Sequence, residues 1–262
     1  MQIGLYDVGG QKLRVGIRPG DKARPPLLLF NGIGANIELA KPFLEAFEGP
    51  EVIVFDVPGV GGSPTPRLPY RPSTLARLTA RLLDQLGHDR VDVLGVSWGG
   101  ALAQQFAFQQ SKRCRRLVLA ATSPGHLMVP GKPGALLKMA TPRRYKDPRY
   151  LRRVAGELYG GVMRSSPDLL ALHLRHVKWS SDYGYYLQLA ASFGWSSLPW
   201  LPFLEQKTLV MAGKDDPIVP AINGRILAKL IPDARFVTID DGHLFLLTSA
   251  RKSARVISEF LS

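Results

Sequence analysis

The chain has 262 residues, 45% of them hydrophobic, and carries 34 Lys and Arg against 21 Asp and Glu, a formal charge of +13. That length suits one large α/β unit or two small domains with a substantial core, and no apolar run reaches the roughly 18 residues of a membrane span. The excess charge invites an anionic partner, but no zinc-finger spacing, aromatic RNA-binding signature or long basic helix accompanies it, so nucleic acid is not expected.

Met1–Asp7 has neither the basic patch nor the apolar core of a signal peptide, which points to the cytoplasm. Ile3–Tyr6 and Leu13–Ile17 alternate around Gly9-Gly10 and predict an antiparallel hairpin at a sheet edge. Strand-length apolar runs then recur at Leu27–Phe30, Val52–Phe55, Val91–Leu94, Leu117–Ala121, Thr208–Ala212 and Arg235–Ile239. Helical stretches fall between and after them at Ile37–Phe47, Ser73–Leu86 with Ser73 as N-cap, Trp98–Gln110, Ile222–Leu230 and Ala250–Leu261. This alternation predicts an α/β fold, a mostly parallel sheet flanked by helices on both faces. The single Cys114 has no partner for an internal disulfide; Arg113, Arg115 and Arg116 around it would lower a thiol pKa, though a structural role is the plainer reading.

The alternation stops between Ser123 and Glu205, a stretch too long for one crossover. An inserted helical cap over 123–205 is expected, dividing the core into 1–122 and 206–262. Leu151–Tyr159 and Pro167–Lys178 read as its helices, with Tyr183, Tyr185, Tyr186, Trp195 and Trp200 on or near its inner face.

The most informative segment runs from Val93 to Phe106 and writes Gly95-x-Ser97-x-Gly99 between a strand pattern and a helix. In that context it is a nucleophile elbow, a turn tight enough to require glycines and to project the Ser97 hydroxyl outward. The following helix N-terminus presents free N–H groups to a developing oxyanion. A serine needs a base. Among five histidines, His88, His126, His173 and His176 read as surface or capping residues, whereas His243 follows the last strand in a loop at the sheet end where Ser97 emerges. Asp216, directly after the strand Thr208–Ala212, is the preferred orienting carboxylate, and Ser97, Asp216, His243 is the chain order of α/β-hydrolases. Asp215 is its rival, with Asp240 and Asp241 as loop-shaping residues. The oxyanion donors are expected to be the backbone N–H groups of Trp98 and of Ile33 in Asn31-Gly32-Ile33-Gly34.

Gly32-x-Gly34 lacks the third glycine of a dinucleotide fingerprint, Ile37 standing there, and Gly59-Val60-Gly61-Gly62-Ser63 lacks a phosphate-loop lysine. No cofactor is expected, and no Cys/His spacing suggests a metal.

With these residues in place the chain resembles the α/β-hydrolase superfamily, and within it the intracellular depolymerases of medium-chain-length poly(3-hydroxyalkanoate). The matching stretches are Phe30–Asn36, Phe55–Ser63, the elbow through Phe106, Met128–Pro133 and Asp240–Leu246. Asn31 stands where many relatives of the superfamily have His, a departure that agrees with the depolymerase group. The resemblance places the family's triad on Ser97, Asp216 and His243. It implies a serine esterase acting through an acyl-enzyme on granule-stored polyesters of 3-hydroxy fatty acids in the cytoplasm. Asn31, Trp179, Tyr183 and Trp195 become the substrate-binding candidates for a greasy polymer. Between Gly125 and Phe203 there are eleven Lys and Arg against four Asp and Glu, a net +7, and this basic cap is expected to face the granule surface. The alternatives are a soluble small-ester or carbon–carbon bond hydrolase using the same triad, and a non-catalytic granule-binding protein.

Overall fold

The structure is a computed structural model that describes residues 1–179 and 181–262. Among the described residues there are eight strands: β1 (Gln2–Val8), β2 (Gln11–Arg18), β3 (Leu27–Phe30), β4 (Val52–Phe55), β5 (Val91–Val96), β6 (Cys114–Ala120), β7 (Lys207–Gly213) and β8 (Ala234–Ile239). They form one sheet in the order β1-β2-β4-β3-β5-β6-β7-β8. β1 and β2 pair antiparallel around Gly9 and Gly10, both at positive φ as a two-residue hairpin turn demands. β2 also runs antiparallel to β4, and every later pair is parallel.

Burial follows from the sequence of each strand. All four residues of β3 and of β4 are buried, since helices cover both faces of the parallel part. In β1, at the edge, only Val8 is buried. The helices of the core are α1 (Lys41–Ala46), α2 (Pro72–Gln85) and α3 (Trp98–Gln109), followed later in the chain by one at Ala221–Leu230 and a last at Ala250–Leu261. Leu75, Leu82 and Leu83 of α2 join Leu102, Ala103 and Phe106 of α3 and Leu227 on one face of the sheet. Phe43 and Leu44 of α1 join Ala254, Ile257 and Leu261 on the other. Residues 254, 257 and 261 recur at helical spacing, so the last helix buries one stripe.

Ser73 is not the cap of α2. That helix begins at Pro72 with Arg71 before it and no side-chain cap, because proline's fixed φ already suits the first turn and its missing N–H leaves one donor fewer to satisfy. Cys114 is buried, and burial, with the nearby Asp92 charge, pushes its thiol pKa up against the opposing pull of Arg90.

Between Ala120 and Lys207 the chain leaves the sheet and builds a helical layer: α4 (Pro133–Met139), α5 (Arg143–Lys146), α6 (Pro148–Tyr159), α7 (Pro167–His176) and α8 (Asp182–Ser192). Asp147, Ser166 and Ser181 cap α6, α7 and α8 by accepting the N–H groups of Tyr150, Leu169 and Gly184. α7 stops at His176, two residues short of the expected Lys178. α4, α5 and α8 carry no clear apolar periodicity and were not legible as helices. α8 lies against the core because Gly184 meets the backbone of Gly59, where a Cβ would collide. In chain order the two core helices after this layer are α9 (Ala221–Leu230) and α11 (Ala250–Leu261), with the short α10 (Phe245–Thr248) before the last. Among the described residues no helix is long and apolar enough to cross a membrane.

Candidate active site

β5 ends at Val96 and α3 starts at Trp98, so Ser97 alone turns the chain, at φ 53° and ψ −119°. A positive φ costs a non-glycine residue about 1–3 kcal/mol and persists only when the surroundings dictate it. Here the Ser97 N–H donates to the Ala120 carbonyl at 2.9 Å, while its own carbonyl accepts the Thr122 hydroxyl at 2.7 Å and the Gly100 N–H at 2.9 Å. The flanking glycines are required by space. A Cβ on Gly99 would collide with the carbonyls of Phe30 and Asn31, and one on Gly95 with Ala103.

The loop after β8 brings His243 to this serine. Its backbone N–H donates to the Tyr159 carbonyl at 2.7 Å, and Gly242 beside it leaves no room for a side chain against the same carbonyl. The imidazole Nε2 lies 3.0 Å from Ser97 Oγ, and Nδ1 lies 2.7 Å from Asp216 Oδ2. The other Asp216 oxygen accepts the N–H groups of Ile218 and Val219, each at 2.9 Å, which fixes the buried carboxylate toward the ring.

The rival acids lie elsewhere. Asp215 is half-exposed and holds Arg164, whose guanidinium keeps the Asp215 carboxyl below its ordinary range. Asp240 faces Lys214 at 3.6 Å. Asp241 ties its loop together, accepting the Gly242 N–H at 2.7 Å and the hydroxyls of Thr248 and Ser249 at 2.6 and 2.7 Å. A hydroxyl, imidazole and carboxylate in this chain can move the proton off Oγ and balance the charge left on the ring.

The loop Asn31–Gly34 runs beside Ser97. The N–H groups of Ile33 and Trp98 meet no acceptor among the described residues. Asn31 closes the loop through Nδ2 to the Asn36 carbonyl at 3.1 Å. From the helical layer, the Tyr145 hydroxyl donates to the Ile33 carbonyl at 2.7 Å. Gln188 of α8 touches both sides of this donor pair: its Oε1 accepts the Gly34 N–H at 2.7 Å and its carbonyl accepts Trp98 Nε1 at 2.9 Å. Nothing in the sequence marked Gln188, because the contact joins residues 154 positions apart.

A largely apolar cavity opens over Ser97 and His243. Leu39, Phe43, Ile218, Leu244, Leu246 and Leu247 form much of its wall, and Arg144, Tyr145, Tyr159 and His173 complete it from the helical layer. Of the sequence-predicted substrate contacts, Asn31 lines this cavity. The other three do not. Trp179 stands behind the wall, stacked on Tyr145 at 6.0 Å. Tyr183 is 55% exposed, on the side of α8 away from the buried Tyr185. Trp195 donates from Nε1 to Gln105 Oε1 at 2.7 Å and packs edge-on to Trp200, pinning the layer to α3. His88 pairs with Glu51, and His126 and His176 meet Phe193 and the Leu172 carbonyl. His173 departs from the surface or capping role expected of those histidines: it is buried, and it lines the cavity. Among the described residues no group of three or more His, Cys, Asp or Glu is gathered as for a metal ion.

A family model of the alpha/beta hydrolase fold matches residues 25–176 and 183–250. Over 256 residues the chain is 54% identical to a poly(3-hydroxyalkanoate) depolymerase of Ectopseudomonas oleovorans, covering 97% of this chain and 90% of that protein. It is 25% identical over 228 residues to a 3-oxoadipate enol-lactonase of Acinetobacter baylyi, covering 86% and 84%. In three dimensions it superposes on an enol-lactonase from Burkholderia xenovorans with a TM-score of 0.84 at 24% identity, covering 98% and 99%, a likeness of fold. The near full-length identity and the matched family model together establish that the chain belongs to the α/β-hydrolase fold family and is a carboxylic ester hydrolase.

Proposed function

We propose that this hydrolase cleaves the ester bonds of medium-chain-length poly(3-hydroxyalkanoate) at cytoplasmic storage granules, with Ser97, His243 and Asp216 as its triad. The observation that carries the reading is the 3.0 Å and 2.7 Å chain from Oγ through the imidazole to a buried carboxylate at the floor of an apolar cavity. Near full-length similarity to a depolymerase of that polymer class supports the substrate.

In this mechanism His243 takes the Ser97 proton as Oγ attacks the ester carbonyl. The N–H groups of Ile33 and Trp98 receive the oxyanion. The intermediate collapses by breaking the ester C–O bond, and His243 returns the proton to the departing alkoxide, which leaves as the alcohol end of the shorter chain. Water deprotonated by the same imidazole then attacks the acyl-enzyme, releasing the new carboxylic acid and restoring the serine. Asp216 holds the imidazole tautomer and balances its transient charge.

The leucine-rich wall favours alkyl side chains, each buried methylene contributing about 0.8 kcal/mol. The helical layer, read as a lid of residues 123–205, exposes Leu127, Leu137, Phe193 and Phe203 and carries the +7 charge, a surface suited to an amphiphilic, acidic granule. The test is digestion of a poly(3-hydroxyoctanoate) suspension with product analysis by mass spectrometry. Wild type should release hydroxyacids or short oligomers and should be labelled on Ser97 by a fluorophosphonate. Ser97→Ala should fold, resist labelling and keep less than about a hundredth of the activity. Activity on p-nitrophenyl acetate and octanoate with none on the polymer would replace this reading with a soluble small-ester hydrolase.

A further inference from the structure

Arg144 sits in α5 of the helical layer and is almost completely buried, at 2% exposure. Its Nη1 donates to the Tyr185 hydroxyl at 2.6 Å and its Nη2 reaches the Ile33 carbonyl at a long 3.4 Å. The guanidinium lies over the rings of Tyr145 and Tyr185, 4.4 and 5.1 Å from their centroids. Among the described residues Nε has no hydrogen-bond partner, and the neighbours that most raise the Arg144 pKa are tyrosines rather than carboxylates. A buried cation without a counter-charge is expensive, and proteins rarely retain one unless something else supplies the anion.

His173 tells the same story independently. It lines the same cavity, is 3% exposed, packs edge-on against Tyr159, and among the described residues neither ring nitrogen has a partner. Burial and then Arg144 push its pKa down to about 4, so at neutral pH it offers one N–H donor and one acceptor. Two buried polar side chains from α5 and α7 thus share the wall of an otherwise apolar cavity with unmet hydrogen-bonding capacity.

We propose that Arg144 and His173 form a carboxylate-binding subsite that holds the free carboxyl end of the polyester chain, so that cleavage releases hydroxyacid units from that end. The inference rests on the polyester reading above. A planar guanidinium matches a carboxylate, and the apolar wall around it matches the alkyl chain of a hydroxy fatty acid. Placement fits as well. Arg144 touches the carbonyl of Ile33, the residue whose N–H is assigned to the oxyanion. In the substrate, the terminal carboxylate and the ester carbonyl to be attacked are one hydroxyacid unit apart, on the order of 5 Å. The terminal unit leaves as the alcohol, still carrying the carboxylate held by Arg144. Arg144 and His173 take no part in proton transfer; they are binding residues.

The test compares a 3-hydroxyoctanoate dimer bearing a free carboxylate with its carboxyl methyl ester. Wild type should favour the free acid about tenfold or more in kcat/KM, mainly through KM, which is what a charge-assisted hydrogen bond yields. Arg144→Gln and Arg144→Met should bring that ratio near one, and His173→Phe should lower it. A wild-type ratio near one, or an Arg144 variant that keeps the preference, overturns the proposal and leaves Arg144 as a brace for the helical layer. Should the Arg144 variants not fold, wild type alone decides: competitive inhibition of p-nitrophenyl octanoate hydrolysis by octanoate and not by octanamide supports the subsite, and equal inhibition refutes it. If neither dimer is cleaved, the polyester reading fails while the octanoate comparison still reads the carboxylate site.

Discussion

Replacing Gln188 tests whether the helical layer sets the geometry of the proposed oxyanion donors, the N–H groups of Ile33 and Trp98. Gln188 Oε1 is the acceptor for the Gly34 N–H at 2.7 Å, one residue from Ile33, and among the described residues its amide nitrogen has no partner to lose. Gln188→Met keeps the length of the side chain and removes the acceptor. The buried Gly34 N–H is then left unsatisfied, at a cost of about 1–3 kcal/mol. The loop recovers part of this by turning that N–H toward water in the cavity, and such a rotation carries Ile33 with it. Complete loss of an oxyanion donor lowers kcat by about 10²–10³, so a displaced donor should lower it by about tenfold to a hundredfold, with KM for p-nitrophenyl octanoate little changed. Steady-state kinetics beside thermal unfolding read both consequences. Gln188→Ala, which also leaves a gap, should lose more stability and a similar amount of kcat. A Met variant that unfolds earlier yet turns over at the wild-type rate would refute the positioning role.

Asp216→Asn should slow turnover by orders of magnitude with the fold intact, whereas Asp215→Asn should cost only its half-exposed pair with Arg164 and leave kcat near wild type; kinetics showing the reverse would reassign the acid. His173, with its pKa pushed from 6.5 to about 4, stays neutral in the native state while the unfolded chain takes up a proton. Stability therefore falls as pH drops through that window, and His173→Gln should reduce the loss between about pH 7 and about pH 4.5 by about 2–3 kcal/mol in denaturant titrations. An unchanged loss would mean that native His173 already carries its proton. Sedimentation with polyester granules should weaken as ionic strength rises from about 0.05 to about 0.5 M, and binding indifferent to salt would remove the charge of the helical layer from the account.

The parallel strands were legible because each is a short apolar run between turn signals, a pattern set by burial on both faces. β3 and β4 fall on Leu27–Phe30 and Val52–Phe55 as expected, and α11 on Ala250–Leu261. The elbow was legible for a local reason: Gly95, Ser97 and Gly99 answer to a steric demand within one turn, and the helix that follows adds its own periodicity. The helical layer was harder. α6 shows a stripe of Leu151, Val154, Ala155 and Leu158, but α8 is held by Gly184 against Gly59 and by Gln188 against the Gly34 loop, contacts that leave no periodic trace.

What the amino-acid order determined by itself was therefore the strands, most of the core helices, and the serine and histidine proposed to exchange a proton, since these depend on spacing along the chain. Tertiary structure decided which aspartate faces His243, for Asp215 and Asp216 are chemically identical neighbours, and only the buried N–H groups of Ile218 and Val219 orient one of them inward. It also decided that Arg144, Tyr145, Tyr159 and His173 reach the wall of the cavity over Ser97, while Trp179, Tyr183 and Trp195 pack outside it. A side chain's hydrophobicity says that it packs somewhere; which surface it packs against follows from how distant segments meet, and a buried guanidinium facing tyrosines rather than carboxylates becomes visible only once they have.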